Sequence, residues 1–138
     1  MARRAGQESK KDRRVTMKKL LFLFVLAFPM ASQADYVDVI AAKLNPDCTV
    51  SKYLQIVQDF RAQWADAHSY KVEILFPAQS RDLGTFFWVG RISNAEAFGK
   101  GLDEWTSAQS DPNSGPAKLM ARFRECSTSE SRAGFFTR

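Results

Sequence analysis

The sequence predicts an α+β domain: a four-stranded antiparallel sheet with its helices on one face. Three observations lead there. Apolar residues alternate in runs bounded by Pro, Asn and Gly at 36–44, 69–76 and 84–91, and recur every third or fourth position at 50–67 and 98–105. The most strand-prone run, Gly84 to Arg91 (GTFFWVGR), carries bulk on both sides, with Phe86 and Trp88 on one and Thr85, Phe87, Val89 and Arg91 on the other. A strand with one side in water has no need of aromatics on both, so this run is expected at the centre of the sheet, covered twice. The elements, in chain order, read β-α-β-β-α-(α)-β.

Charge separates the leader from the domain. Of 138 residues, 20 are Lys or Arg and 15 Asp or Glu, a net of +5. Residues 1–34 hold eight of the basic and two of the acidic ones, leaving 35–138 with 12 basic and 13 acidic, a net of −1. A nucleic-acid footprint is therefore not expected in the domain, and Arg122-Phe123-Arg124 is a basic–aromatic patch in appearance only. The leader has the layout of a secretory signal: Met17-Lys18-Lys19, an apolar run from Leu20 to Phe28, then Pro29 and Ser32-Gln33-Ala34. Cleavage between Ala34 and Asp35 is expected. The apolar run is about half of the roughly 17–25 residues that a membrane-spanning helix requires. Residues 1–16 are polar and aperiodic, and read as an upstream extension or disordered segment. The domain is thus 35–138, and the compartment periplasmic or extracellular. In that setting one pair of cysteines reads as one disulfide, Cys48–Cys126.

Within the domain, Tyr36–Leu44 alternates as a strand and ends at Asn45-Pro46-Asp47. Thr49 or Ser51 caps a helix to about Ala67, with Val50, Tyr53, Leu54, Val57, Phe60 and Trp64 on its apolar stripe. Ser69–Phe76 is the second strand, with Tyr70, Val72 and Ile74 inward, and Pro77 stops it. The central strand follows a polar loop. Ser93 and Glu96 form a capping box for a helix that buries Phe98, Leu102 and Trp105, in which Gly99 and Gly101 permit close packing on the sheet. A loop at 110–116 precedes a short helix, Ala117–Glu125. The last strand spans Arg132–Thr137.

This is the split βαβ, or ferredoxin-like, plan, with sheet order 4-1-3-2. The start of strand 4 then lies near the end of strand 1, where a Cys48–Cys126 bond fits. Matching apolar faces places Val37, Val39, Tyr70, Val72, Ile74, Phe86 and Trp88 under the helices. The open face is left with Tyr36, Asp38, Ile40, Lys71, Glu73, Leu75, Thr85, Phe87, Val89 and Arg91. That face is too apolar for water, and a homodimer packed sheet against sheet would cover it.

The element order, and the run FFWVGRISNAEAF in which an aromatic strand leads into a Ser-capped helix, resembles the dimeric α/β-barrel superfamily. The resemblance covers most of residues 36–138 as architecture. It implies kinship with cofactor-free monooxygenases of the antibiotic-biosynthesis type, haem-degrading enzymes and stress-associated proteins. The haem-degrading members use a His ligand, and the sole imidazole here, His68, does not align to that position.

Little chemistry is legible. His68 ends the first helix, where the helix dipole favours it, and no Cys, Asp or Glu cluster with metal spacing surrounds it. No nucleophile elbow or phosphate loop is present. Asp38 and Glu73 are placed on either side of Phe87, where two buried carboxylates would form an acid–base pair or each would pair with a cation across a dimer. Trp88 would line an apolar pocket or pack the core. No catalytic, cofactor or metal residue is assigned. The pocket or interface candidates are Asp38, Glu73, Phe87, Trp88 and Arg91. The expected function is an exported, dimeric small-ligand-binding or protein-interaction module; the alternative is a cofactor-free oxygenase. A cavity lined by Asp38, Glu73 or His68 together with Trp88 favours the enzyme, and solid packing there favours the other reading.

Overall fold

The computed structural model describes residues 35–138. The expected extension at 1–16 and export signal at 17–34, including Ala34, lie outside the described residues. The elements are β1 (Tyr36–Leu44), α1 (Val50–Phe60), β2 (Lys71–Leu75), β3 (Thr85–Ile92), α2 (Ala95–Ala108), α3 (Gly115–Cys126) and β4 (Ser127–Phe136). The strands form one antiparallel sheet in the order β2-β3-β1-β4, which is the ferredoxin-like arrangement with β1 and β3 central.

Local chemistry sets each boundary. The Thr49 hydroxyl accepts the Lys52 N–H and opens α1. A π turn at Arg61–Ala65 and a 3-10 turn at Asp66–His68 prolong α1, and Ser69, at φ 53°, ends it in the left-handed region. The buried stripe is Tyr53, Ile56, Val57 and Phe60, whereas Val50 and Leu54 are exposed, so the stripe lies further round the helix than its apolar residues imply. Asn94, not Ser93, caps α2: its side chain accepts the Ala97 N–H at 2.8 Å. Gly99 has no neighbour where a Cβ would stand, and Gly101 has only the His68 ring at 3.8 Å, so neither glycine serves helix–sheet packing. Ser114 caps α3, and Pro116 sits in its first turn, where a missing N–H costs nothing.

β4 begins five residues earlier than expected. The run Ser127–Glu130 is polar because β4 is an edge strand: every residue from Thr128 to Phe136 is exposed. A bulge opposite Ala41 and Ala42 leaves Glu130 without a partner in the ladder.

The register corrects the facing of β1. Asp38 stands opposite Gly90, Ile40 opposite Trp88 and Ala42 opposite Phe86, so these residues share the helix-covered face with Tyr36. Val37, Val39 and Ala41 pair with Arg91, Val89 and Phe87 on the other face. The reverse was expected because valine is the more apolar choice for an interior. Both faces of this strand are protected, and hydropathy does not decide its direction. Under the helices Phe60 is the hub, with ring centroids 5.2 Å from Trp88 and 5.3 Å from Trp105.

The corner where β1 leaves the sheet and β4 enters it is clasped twice. A Cys48–Cys126 disulfide joins them, with Cα atoms 5.0 Å apart. Beside it the Asn45 side chain donates to the carbonyls of Arg124 and Glu125 and accepts from Thr128, and the Asn45 N–H donates to Cys126 O. Closing a loop of this length is worth roughly 4–5 kcal/mol in the chain-entropy model.

Candidate functional site

Asp38 is built into the middle of the sheet between two glycines. Gly90 of β3 faces it on one side and Gly134 of β4 on the other. Neither position has room for a side chain. A Cβ at Gly90 would overlap the Tyr70 phenol, and one at Gly134 would overlap the Tyr36 phenol. The two tyrosines therefore lie across bare backbone on either side of Asp38.

Asp38 is 1 % exposed and fully engaged. Arg132 grips it side-on, with Nε donating to Oδ1 at 2.7 Å and Nη2 to Oδ2 at 2.9 Å. Tyr70 Oη donates to Oδ2 at 2.7 Å, and Trp88 Nε1 donates to Tyr70 Oη at 3.0 Å. Burial holds the Tyr70 hydroxyl well above the ordinary tyrosine range, and the adjacent Asp38 charge adds to this. Hydrogen bonding to Asp38 raises Arg132 further, so the guanidinium stays charged. Its outer part is about half exposed and lies over the Phe98 ring at 5.4 Å.

Above this network is a cavity of about 370 Å³ between helices and sheet. Its walls include Phe60, Trp64, Trp88, Phe98, Trp105 and Phe123, with Asp38, Tyr70, His68 and Arg132 among the polar residues that line it. A second tyrosine, Tyr53, sits in the wall with its hydroxyl pushed up by burial. His68 stacks on Trp64 with centroids 4.0 Å apart. Its Nδ1 meets Trp64 O at 2.8 Å and its Nε2 meets Glu104 Oε2 at 3.0 Å. Both partners are acceptors, and both ring nitrogens are taken.

The structure brings Asp38 and Trp88 together and separates the other candidates from them. Glu73, Phe87 and Arg91 lie on the outer face, all exposed. Asp38 and Glu73 are on opposite sides of the sheet, so the two carboxylates do not form a pair. The partner of Asp38 is Arg132, 94 residues away. Tyr70 and Arg132 are the site residues that sequence reading missed. Glycines inside two strands were the available signal, since such a glycine marks close approach of another group. Among the described residues, no group of three or more His, Cys, Asp or Glu is placed to hold a metal.

No protein-family model and no curated protein matches the sequence. Solved structures do. SnoaB, a cofactor-independent oxygenase from Streptomyces nogalater, superposes with a TM-score of 0.50 at 14% identity over 76% of this chain and 94% of that one. A point mutant of SnoaB gives 0.54 at 15% identity, with the same shares covered. A dimeric protein of unknown function and ferredoxin-like fold from Bacteroides fragilis gives 0.41 at 14% identity, over 75% of this chain and 94% of that one. At these identities the likeness is one of fold.

Proposed function

We propose that this chain is a small exported protein that pairs through the outer face of its sheet and binds a small apolar molecule in the pocket under its helices. One observation carries the binding reading: the aromatic-walled cavity of about 370 Å³ falls within the roughly 300–1,000 Å³ of small-molecule sites. Asp38 and His68 both line it, yet each spends its polar atoms on the protein, which suits a receptor better than a general base. The pairing reading rests on the outer face. There Leu75, Phe87 and Phe135 are exposed beside Val37, Val39, Ala41 and Val89. A second copy supplies the same apolar patch in return. The cystine agrees with an oxidising compartment.

A second reading, a cofactor-free oxygenase, is favoured by the meeting of an acid, an imidazole and Trp88 in one cavity, and by the shared fold with SnoaB. Native mass spectrometry of protein purified from the cell envelope tests the first reading. The expected result is an oxidised dimer beginning at Asp35 with a small molecule retained. A reduced, full-length, empty monomer would sink it. Dioxygen uptake with hydroxylated aromatic probes would move the assignment to the second reading.

A further inference from the structure

The Asp38–Arg132 pair is oriented. The Asp38 side chain is 2 % exposed and the Arg132 side chain 44 %, so the negative partner is at the floor of the cavity and the positive one at its edge. Tyr70 Oη takes up part of the carboxylate charge from below. Arg132 spends Nε and one N–H of Nη2 on Asp38, and the Nη1 amino group with the second Nη2 N–H is left to donate elsewhere. Of the helix-facing residues of β4, Ser127, Ser129 and Arg132 line the cavity. Arg132 is the single charge among them. His68 also lines the cavity, and its Nε2 is engaged with the Glu104 carboxylate.

We infer that the ligand is a small apolar carboxylic acid, whose body lies against the aromatic wall and whose carboxylate meets the free edge of the Arg132 guanidinium. This rests on the pocket reading above and narrows it. A buried carboxylate behind Arg132 fixes the fork in place, so little side-chain entropy is lost when a second carboxylate arrives. The Phe98 ring beneath the guanidinium holds its plane and continues the apolar wall up to the charge. Arg132 is on the face opposite the proposed dimer contact, so pairing leaves it accessible.

Calorimetric titration with 2-naphthoate and its uncharged isostere 2-naphthamide tests the inference. The acid is expected to bind about tenfold tighter than the amide, as a charge-assisted hydrogen bond provides. Arg132→Gln is expected to erase that preference, read as an acid-to-amide affinity ratio that falls from about ten to about one. The double variant Asp38→Asn with Arg132→Gln removes the pair as a unit and serves where the single variant does not fold. Equal binding of acid and amide to the wild-type protein would overturn the inference while leaving the pocket reading intact. So would a variant that binds the amide and still prefers the acid. Binding of neither probe to the wild-type protein would overturn the pocket reading as well.

Discussion

The two faces of the sheet solve the same problem by different means. Each has an apolar centre and each carries charge. On the inner face the charge is one desolvated pair, Asp38 with Arg132, locked by Tyr70 and Trp88 and walled by rings. On the outer face the charges stay in water. Lys43 reaches both Asp82 and Glu130 at 3.0 Å, with every partner 41 % exposed or more. The inner pair is held because breaking it strands a buried carboxylate; the outer cluster is screened and contributes little. Position relative to the helices, rather than residue type, decides what a side chain is worth here.

Phe86 and Phe87 sharpen this most. They are neighbours of one type on opposite faces, 1 % and 38 % exposed. Phe86→Ala empties a core site and is expected to cost about 3–5 kcal/mol in urea unfolding. Phe87→Ala should cost the monomer less than about 1 kcal/mol. Its effect is expected instead on self-association, read as a weaker dimer by sedimentation. Equal destabilisation by the two changes, at concentrations where the chain is monomeric, would show that the outer face is covered within one chain.

Glycines give a smaller effect with two signs. At Gly90 a methyl group must displace the Tyr70 ring, and with it the hydrogen bonds to Asp38 and from Trp88. Gly90→Ala is expected to cost about 2–4 kcal/mol. Gly99 has open space at its Cβ and lies mid-helix, so Gly99→Ala should stabilise by up to about 1 kcal/mol. A neutral Gly90→Ala would mean that Tyr70 does not need its place over the strand.

How much of this was legible depended on sequence distance. Alternation placed Tyr70, Val72, Phe86 and Trp88 on the covered face, the order of elements gave the sheet, and a single pair of cysteines gave the Cys48–Cys126 bond, because those signals are local, topological or compositional. Asp38 was turned the wrong way because its stabilising partner is 94 residues off and no local pattern encodes a buried ion pair. Hydropathy starts β4 only at Arg132 because an edge strand in water can be written in serine, threonine and glutamate. The glycines at 90 and 134 were visible, and their meaning appeared only when the register set them beside Asp38.

Titration separates the faces with the smallest effects. The inner face holds Tyr70 and Tyr53 neutral above their ordinary range, chiefly by burial. The native state therefore keeps protons that the unfolded chain releases above about pH 10, and stability falls as pH rises past that point. On the outer face Asp82 is drawn down to about 2 by the Thr85 hydroxyl, then Lys43 and the Gly84 N–H. Its contribution is present above the ordinary carboxylate value near 4 and is lost as pH falls toward 2. Urea midpoints measured across pH should show a steep alkaline limb and a shallow acid one, since Asp82 is exposed and solvent-screened. Tyr70→Phe is expected to flatten the alkaline limb, and Asp82→Asn chiefly the acid limb, with a small alkaline effect through Lys43, whose amine Glu130 and Asp82 hold above its ordinary value. If Asp82→Asn moved the alkaline limb as far as Tyr70→Phe does, more than the exposed Lys43 amine carries, the two faces would be coupled through β3, and treating them as independent would be wrong.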